Sequence, residues 1–125
     1  MNKIIHTDLA PAAIGPYSQA VQTGGLLFVS GQLPIDPATG AFAGEDIAAQ
    51  TRQSLLNVKA ILEAAGYTCA DVVKATVLLS DMGDFAAMNA VYAEFFPENC
   101  PARAAFAVKE LPKGAKVEIE VVAGK

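Results

Sequence analysis

The chain has 125 residues, 53% of them hydrophobic and 18% charged, with a formal net charge of −4. That length supports one hydrophobic core, a single domain over residues 1–125, and is too short for two; the acidic balance excludes a basic nucleic-acid face, and no apolar run nears the roughly 18 residues of a membrane span. A mean hydropathy of +0.35 is high for so small a surface-rich chain, so composition points to copies that hide surface against one another.

Met1 to Ile14 reads as irregular, because Pro11 and Pro16 keep it out of helix. It holds no apolar segment of signal-peptide length. His6 is the only histidine, which removes a histidine-based metal cluster and a Ser-His-Asp triad from one chain. The histidine itself reads as a surface residue. Cys69 and Cys100 form neither a CxxC pair nor a disulfide framework, and a reducing cytoplasm is the simplest setting for them.

Tyr17 to Gln22 and Leu26 to Ser30 read as strands joined at Thr23-Gly24-Gly25, with the glycine pair supplying a hairpin's positive φ angles. Leu26-Leu27-Phe28-Val29 is continuously apolar, the mark of a strand covered on both faces. At Ser30-Gly31-Gln32 a hydroxyl, a sterically open backbone N–H and an amide come together. That tripeptide is either a binding element or an ordinary strand exit. Leu33 to Gly44 carries Pro34, Asp36, Pro37, Gly40 and Gly44 and reads as loop.

Asp46 to Ala65 is a predicted helix, with Ile47, Thr51, Leu55, Val58, Leu62 and Ala65 on one face and Gly66 ending it. Gln50, Arg52, Gln53, Asn57 and Lys59 lie off that stripe and are expected in solvent. Asp71 to Ser80 is a third apolar strand. Asp81 to Phe96 is a second helix with Phe85, Met88, Tyr92 and Phe95 as its buried stripe, Asn89 on the flank and Pro97 after its end.

Arg103 opens a strand that runs to Lys109. Its planar guanidinium donates two parallel hydrogen bonds to a carboxylate, so it is either an anion receptor or a strand-end group that caps the sheet edge or pairs with a glutamate of its own chain. Ala115 to Val122 is the last strand, with Val117, Ile119 and Val121 facing one way and Glu118 and Glu120 the other. The two glutamates mark either a solvated edge or a carboxylate aimed at a substrate. Two helices cover one face of one sheet, yet the strands are apolar on both. The second face therefore awaits other copies of the chain, in a homo-oligomer with a sheet-lined centre and sites at its seams.

Gly15-Pro16-Tyr17-Ser18-Gln19-Ala20-Val21, Phe28-Val29-Ser30-Gly31-Gln32, Gln53-Ser54-Leu55-Leu56-Asn57-Val58, Pro101-Ala102-Arg103 and Val117-Glu118-Ile119-Glu120, in that order, resemble the RidA family of reactive-intermediate (enamine/imine) deaminases. The similarity runs from Pro11 to Ala123. It implies a chorismate-mutase-like α+β fold, a mixed β-sheet with two helices on one face. It also implies a homotrimer with three clefts between subunits, no cofactor and no metal. Active members hydrolyse small 2-imino and enamine acids, such as 2-aminoacrylate and 2-iminobutanoate, to 2-oxo acids and ammonia. By position, Arg103 matches the arginine that grips the substrate carboxylate and Glu118 the glutamate that orients the attacking water. Tyr17, Ser30 and Gly31 match cleft-lining positions, and Asn89 matches a polar residue near the cleft.

One position departs from the pattern. Many members carry a cysteine two residues after the arginine, where this chain has Ala105, and Cys100 does not stand in its place. Imine hydrolysis does not require that thiol, because water is the nucleophile. The alternative within the same fold is a non-catalytic regulator that binds a 2-oxo acid or amino acid through Arg103. Glu118 favours the enzyme, since a carboxylate binder gains nothing from a second negative charge nearby. A ribonuclease or translation-inhibitor reading is disfavoured by the acidic balance and the lone histidine.

Overall fold

In the computed structural model, which describes residues 1–125, the chain runs through β1 (Lys3–Ile5), β2 (Ala20–Thr23), β3 (Leu26–Gln32), α1 (Ile47–Ala64), β4 (Val72–Leu79), α2 (Phe85–Phe95), β5 (Ala102–Ala107) and β6 (Val117–Gly124). The strands form one 6-stranded sheet in the order β1-β2-β3-β6-β4-β5. Only β4 and β5 pair in parallel, because α2 supplies the crossover a parallel pair requires. The expected mixed sheet with two helices is observed.

Thr23 pairs with Leu26, leaving Gly24-Gly25 as the hairpin turn. Only Gly24 has a positive φ, +58°. Gly25 is needed for space instead, since a Cβ there would collide with the carbonyl oxygen of Lys125. A second correction concerns the amino-terminal arm, whose first residues are not irregular. Lys3, Ile4 and Ile5 pair with Gln22, Val21 and Ala20 as β1, an edge strand supplied by tertiary pairing and not by local pattern.

Asp46 caps α1 by accepting from the Ala49 N–H at 3.1 Å, as its side-chain oxygen is suited to do. The buried stripe of α1 is wider than the expected one. Beside Ile47, Thr51, Leu55, Val58 and Leu62 runs a second row of Gln50, Ser54, Asn57 and Ile61, all buried. Gln50 and Asn57 are therefore not solvated; distant carbonyls receive them. Asn57 Nδ2 donates to the Leu33 and Ile35 carbonyls at 3.1 and 2.9 Å. Gln50 Nε2 donates to the Gly44 carbonyl at 3.0 Å and its Oε1 accepts from the Lys116 N–H at 2.9 Å. These bonds fasten the long loop after β3 and the entry to β6 onto one helix, which satisfies buried amides that would otherwise cost stability.

The second helix starts later than expected. Asp81 caps a short 3-10 turn over Met82–Asp84 by accepting from the Gly83 N–H at 2.8 Å, and α2 proper begins at Phe85. Both helices lie on one face of the sheet, over Leu27, Val29, Ala75, Val77, Val117, Ile119 and Val121. On the other face Leu26, Phe28 and Phe106 remain 44%, 46% and 48% exposed. In that face Ala102, Lys74, Val122, Phe28, Val21 and Ile4 stand side by side across all six strands. No helix is long and apolar enough to cross a membrane.

Candidate functional site

Two cavities open from the sheet, one on each face. The first lies on the helix-free side. β3 and β6 fall out of register between Val29 and Gln32, so Ser30-Gly31 forms a β-bulge that bends the strand and re-aims its side chains. Tyr17, Ser30, Gly31 and Glu118 line one cavity of about 560 Å³ there, together with apolar Ile14 and Ile35. The sequence expectation placed these four in one cleft with Arg103 and Asn89; the structure gathers the four on this face of one chain without the other two.

Each wall has a local cause. A Cβ on Gly31 would collide with Glu118 Oε2, and Glu118 Cδ would lie only 3.0 Å from it. Glycine at this position is what lets the carboxyl lie flat against the bulge. Ser30 Oγ donates to the Ser18 carbonyl at 2.6 Å, so its proton is committed and only its lone pairs face a ligand. Tyr17 is 53% exposed and stands at an open rim. Burial first, and the neighbouring Glu120 charge second, push the Glu118 carboxyl above its ordinary pKa. Such a shift toward neutrality suits a group that takes a proton from water.

Gln19 is the member of this site that the sequence did not disclose. It is buried, and its Oε1 accepts from the Thr7 N–H at 2.8 Å while its Nε2 donates to the Thr7 and Pro11 carbonyls at 3.0 and 2.8 Å. One side chain thus moors the amino-terminal arm, whose Pro11, Ala12 and Ile14 form the cavity wall. Sequence reading placed Gln19 inside a strand from Tyr17, whereas β2 begins at Ala20; the available signal was a glutamine beside an arm that lacks regular hydrogen bonding.

The second cavity, of about 470 Å³, is lined by Asn89, Tyr92, Ala93, Phe96, Cys100, Pro101 and Arg103. Arg103 pairs with Ala75 across the parallel β4–β5 ladder, and Ala75 lies in the helix-covered core. The guanidinium therefore projects beneath α2. Its Nη1 donates to Asn89 Oδ1 at 2.6 Å, and its Cζ lies 4.7 Å from the Tyr92 ring centroid and 5.5 Å from that of Phe85. No carboxylate approaches it within salt-bridge distance; Arg52–Glu94 and His6–Asp8 are the ion pairs of the chain. The alternative of a strand-end arginine paired with its own glutamate is thereby removed. Asn89 is no surface residue either, since it is the direct partner of Arg103.

Arg103 and Glu118 do not meet within one chain. Glu118 pairs with Leu78 and Arg103 with Ala75, so the two project from opposite faces, two strand spacings (about 10 Å) apart across the sheet and three residues (about 10 Å) apart along it. Ala105 shares the face of Arg103 and packs against the core, which leaves no thiol at that point. Cys100, exposed on the rim of the arginine's cavity, donates its Sγ–H to the Phe96 carbonyl at 3.2 Å. No three His, Cys, Asp or Glu side chains gather as a metal site. His6 is exposed, is bonded to Asp8 at 3.1 Å and lines neither cavity.

Fold and site together define a small α+β protein with a glycine-bulge carboxyl on one face of its sheet and an unpaired guanidinium on the other. The sequence model of the family described as Endoribonuclease L-PSP matches residues 7–125. A RutC family protein of Pyrococcus horikoshii is 58% identical over 125 residues, covering 100% of this chain and 99% of that protein. A Salmonella typhimurium protein named 2-iminobutanoate/2-iminopropanoate deaminase is 55% identical over 126 residues, 98% of each chain. Among solved structures, Escherichia coli TdcF with bound serine superposes with a TM-score of 0.95 at 48% identity over 98% of each chain. Yeast Mmf1 superposes at 0.96 with 36% identity, over 100% of this chain and 99% of that one. The chain belongs to the Endoribonuclease L-PSP family, the YjgF/RidA family.

Proposed function

We propose that the protein hydrolyses reactive 2-imino and enamine acids to 2-oxo acids and ammonia, without a cofactor, as a homotrimer of chorismate-mutase-like packing. The observation that carries this reading is Arg103: an oriented, part-buried guanidinium with no carboxylate of its own chain to neutralise it. A free fork of this kind matches a substrate carboxylate bidentately. Relatives named as imine deaminases at 55% and 52% identity support the same chemistry.

The chemistry follows from the two cavities once one copy's Arg103 faces another copy's Glu118. Arg103 holds the carboxylate of a 2-imino acid. The protonated imine nitrogen donates to the free lone pairs of Ser30 Oγ. Glu118 takes a proton from water as the oxygen attacks the imine carbon and returns it to the amine nitrogen; the hydroxyl proton of that amino-alcohol then passes to Glu118 as the C–N bond breaks and the C=O bond forms, and ammonia leaves with that proton as ammonium. General-base assistance of this kind contributes about 10²–10⁴-fold. An enamine first takes a proton on carbon, becoming the imine. The exposed Leu26, Phe28 and Phe106 of the helix-free face support the oligomer, because association removes apolar surface from water.

The test is release of 2-oxobutanoate from threonine by a dehydratase that forms 2-iminobutanoate in place, with wild type, Arg103→Ala and Glu118→Ala, alongside light scattering for the trimer. Acceleration by wild type, with both variants at the uncatalysed rate while folded and trimeric, supports the reading. No acceleration over a range of imine chain lengths overturns it. The non-catalytic alternative would then show as saturable binding of 2-oxo acids. Ribonuclease action is not expected, given a net charge of −4 and a lone histidine that lines neither cavity.

A further inference from the structure

We propose that one stripe of α2, made of Phe85, Asn89 and Tyr92, is the device that orients Arg103, with Tyr92 acting as a positioning residue through its ring. The inference rests on Arg103 being the carboxylate receptor of the proposed reaction. Residues three and four apart on a helix face the same way, so 85, 89 and 92 form one row. Phe85 and Tyr92 read from sequence as ordinary core stripe, and Met88 of the same helix does enter the core fully. Phe85 and Tyr92 pack with that core as the sequence stripe predicts, and the same row also faces Arg103.

An arginine side chain has many rotamers, and one left free at a cavity loses freedom each time it grips a ligand. Here three contacts remove that freedom beforehand. Asn89 Oδ1 accepts from Nη1 at 2.6 Å, which fixes the rotation of the guanidinium about its stem. The Tyr92 ring, 4.7 Å from Cζ, and the Phe85 ring, 5.5 Å away, offer π faces to the cation. Asn89 uses a single donor on Nη1, so the remaining N–H groups are free to form the fork. Cationic charge is attracted to both rings without being neutralised, which a carboxylate partner in their place would do. The clamp therefore holds the group still and leaves its charge for the substrate.

Tyr92 shows which part of the residue matters. Its hydroxyl is buried and has no hydrogen-bond partner, so it contributes no bond to the site. Burial pushes that hydroxyl above its ordinary pKa, with the Arg103 charge opposing, and the group stays neutral beside the cation. The ring is braced in turn by Phe96, at 4.7 Å between centroids and 39° between planes. Ring position thus comes from packing within α2 and its carboxyl end, and guanidinium position from the ring.

The experiment measures KM and kcat with 2-iminobutanoate formed in place, and Kd for 2-oxobutanoate by titration. It compares wild type with Tyr92→Met, Tyr92→Phe, Phe85→Met and Arg103→Ala, checking trimer and fold for each. Methionine keeps an apolar, adaptable side chain of similar reach, with somewhat less volume, but offers no π face. Tyr92→Met is expected to raise KM and Kd about three- to tenfold with a smaller change in kcat, the signature of lost binding that is uniform between ground and transition state. Phe85→Met should do the same to a smaller extent, in keeping with its longer distance. Tyr92→Phe should restore the wild-type KM, because the ring returns. The proposal is overturned if both methionine variants are folded and trimeric with unchanged KM and Kd while Arg103→Ala loses binding. It is also overturned if Tyr92→Phe is as impaired as Tyr92→Met, since the hydroxyl would then be the active part. Loss of the underlying reading looks different: Arg103→Ala itself would leave KM and Kd unchanged.

Discussion

Arg52 and Arg103 are the two arginines of the chain, and their surroundings differ in every respect that governs what a guanidinium does. Arg52 stands on the outer surface of α1 and meets Glu94 of α2 with two hydrogen bonds of 2.8 and 3.1 Å. Its charge is spent within the chain. Arg103 is part-buried under α2, held by an amide oxygen and two rings, with no carboxylate at hand. An amide and π faces orient a cation without cancelling it, whereas a bidentate carboxylate does both. The same residue type thus serves as a surface clasp in one region and as an unspent receptor in the other.

Removing each arginine tests that contrast most strongly. Arg103→Ala is expected to lower kcat/KM for 2-iminobutanoate about 10²–10³-fold, the usual scale for losing a bidentate charge-assisted grip. Arg52→Ala should leave kcat/KM within about twofold of wild type, because exposed ion pairs contribute little. Equal losses in the two variants would break the comparison. Arg103→Lys comes next, at about tenfold or more in KM, since an ammonium keeps the charge but lacks the planar fork and stacks poorly. A lysine variant with wild-type KM would show that charge alone suffices. Gly31→Ala sharpens the other half of the site. Its Cβ would occupy the place of the Glu118 carboxyl, so kcat should fall while Arg103-dependent binding of 2-oxobutanoate persists.

From β2 onward the order of elements was legible because apolar runs and helical spacing are local signals, whereas β1 is set by tertiary pairing. Thr51, Leu55, Val58 and Leu62 face inward, as their spacing predicts. Polar burial was not legible. Gln50 and Asn57 look like solvent residues until the Lys116 N–H and the carbonyls of Leu33 and Ile35 arrive from far along the chain. Gln19 is the same case, made intelligible only by the arm that folds over it. Within the candidate site, alternation in β6 showed that Glu118 opposes the core residues Val117 and Ile119. The face taken by Arg103 was hidden, because it is set by the parallel register with Ala75 and by α2 lying above. Sequence adjacency to apolar residues could not separate a receptor from a clasp; the missing carboxylate could.

The smallest effect expected is on stability, and its sign differs between the two regions. Glu118, which has no arginine of its own chain beside it, is raised above its reference pKa of 4.5 by burial and then by Glu120. A carboxyl raised on folding gives its full contribution below the unfolded value, and that contribution is lost as pH rises through the folded value. Glu94 is lowered from 4.5, first by its hydrogen bond from Arg52; its contribution is present above 4.5 and lost as pH falls through the lowered value. Urea midpoints at a series of pH values should therefore separate Glu118→Gln from Glu94→Gln. The first should gain on wild type as pH rises from below 4.5 toward 7. The second should lose on wild type over the pH range just below 4.5 and hold that deficit at neutrality, by a smaller amount because the pair is exposed. Parallel profiles for wild type and Glu118→Gln would mean that the bulge carboxyl is as well solvated as the one on the helix surface, and its role as a base would lose its electrostatic support.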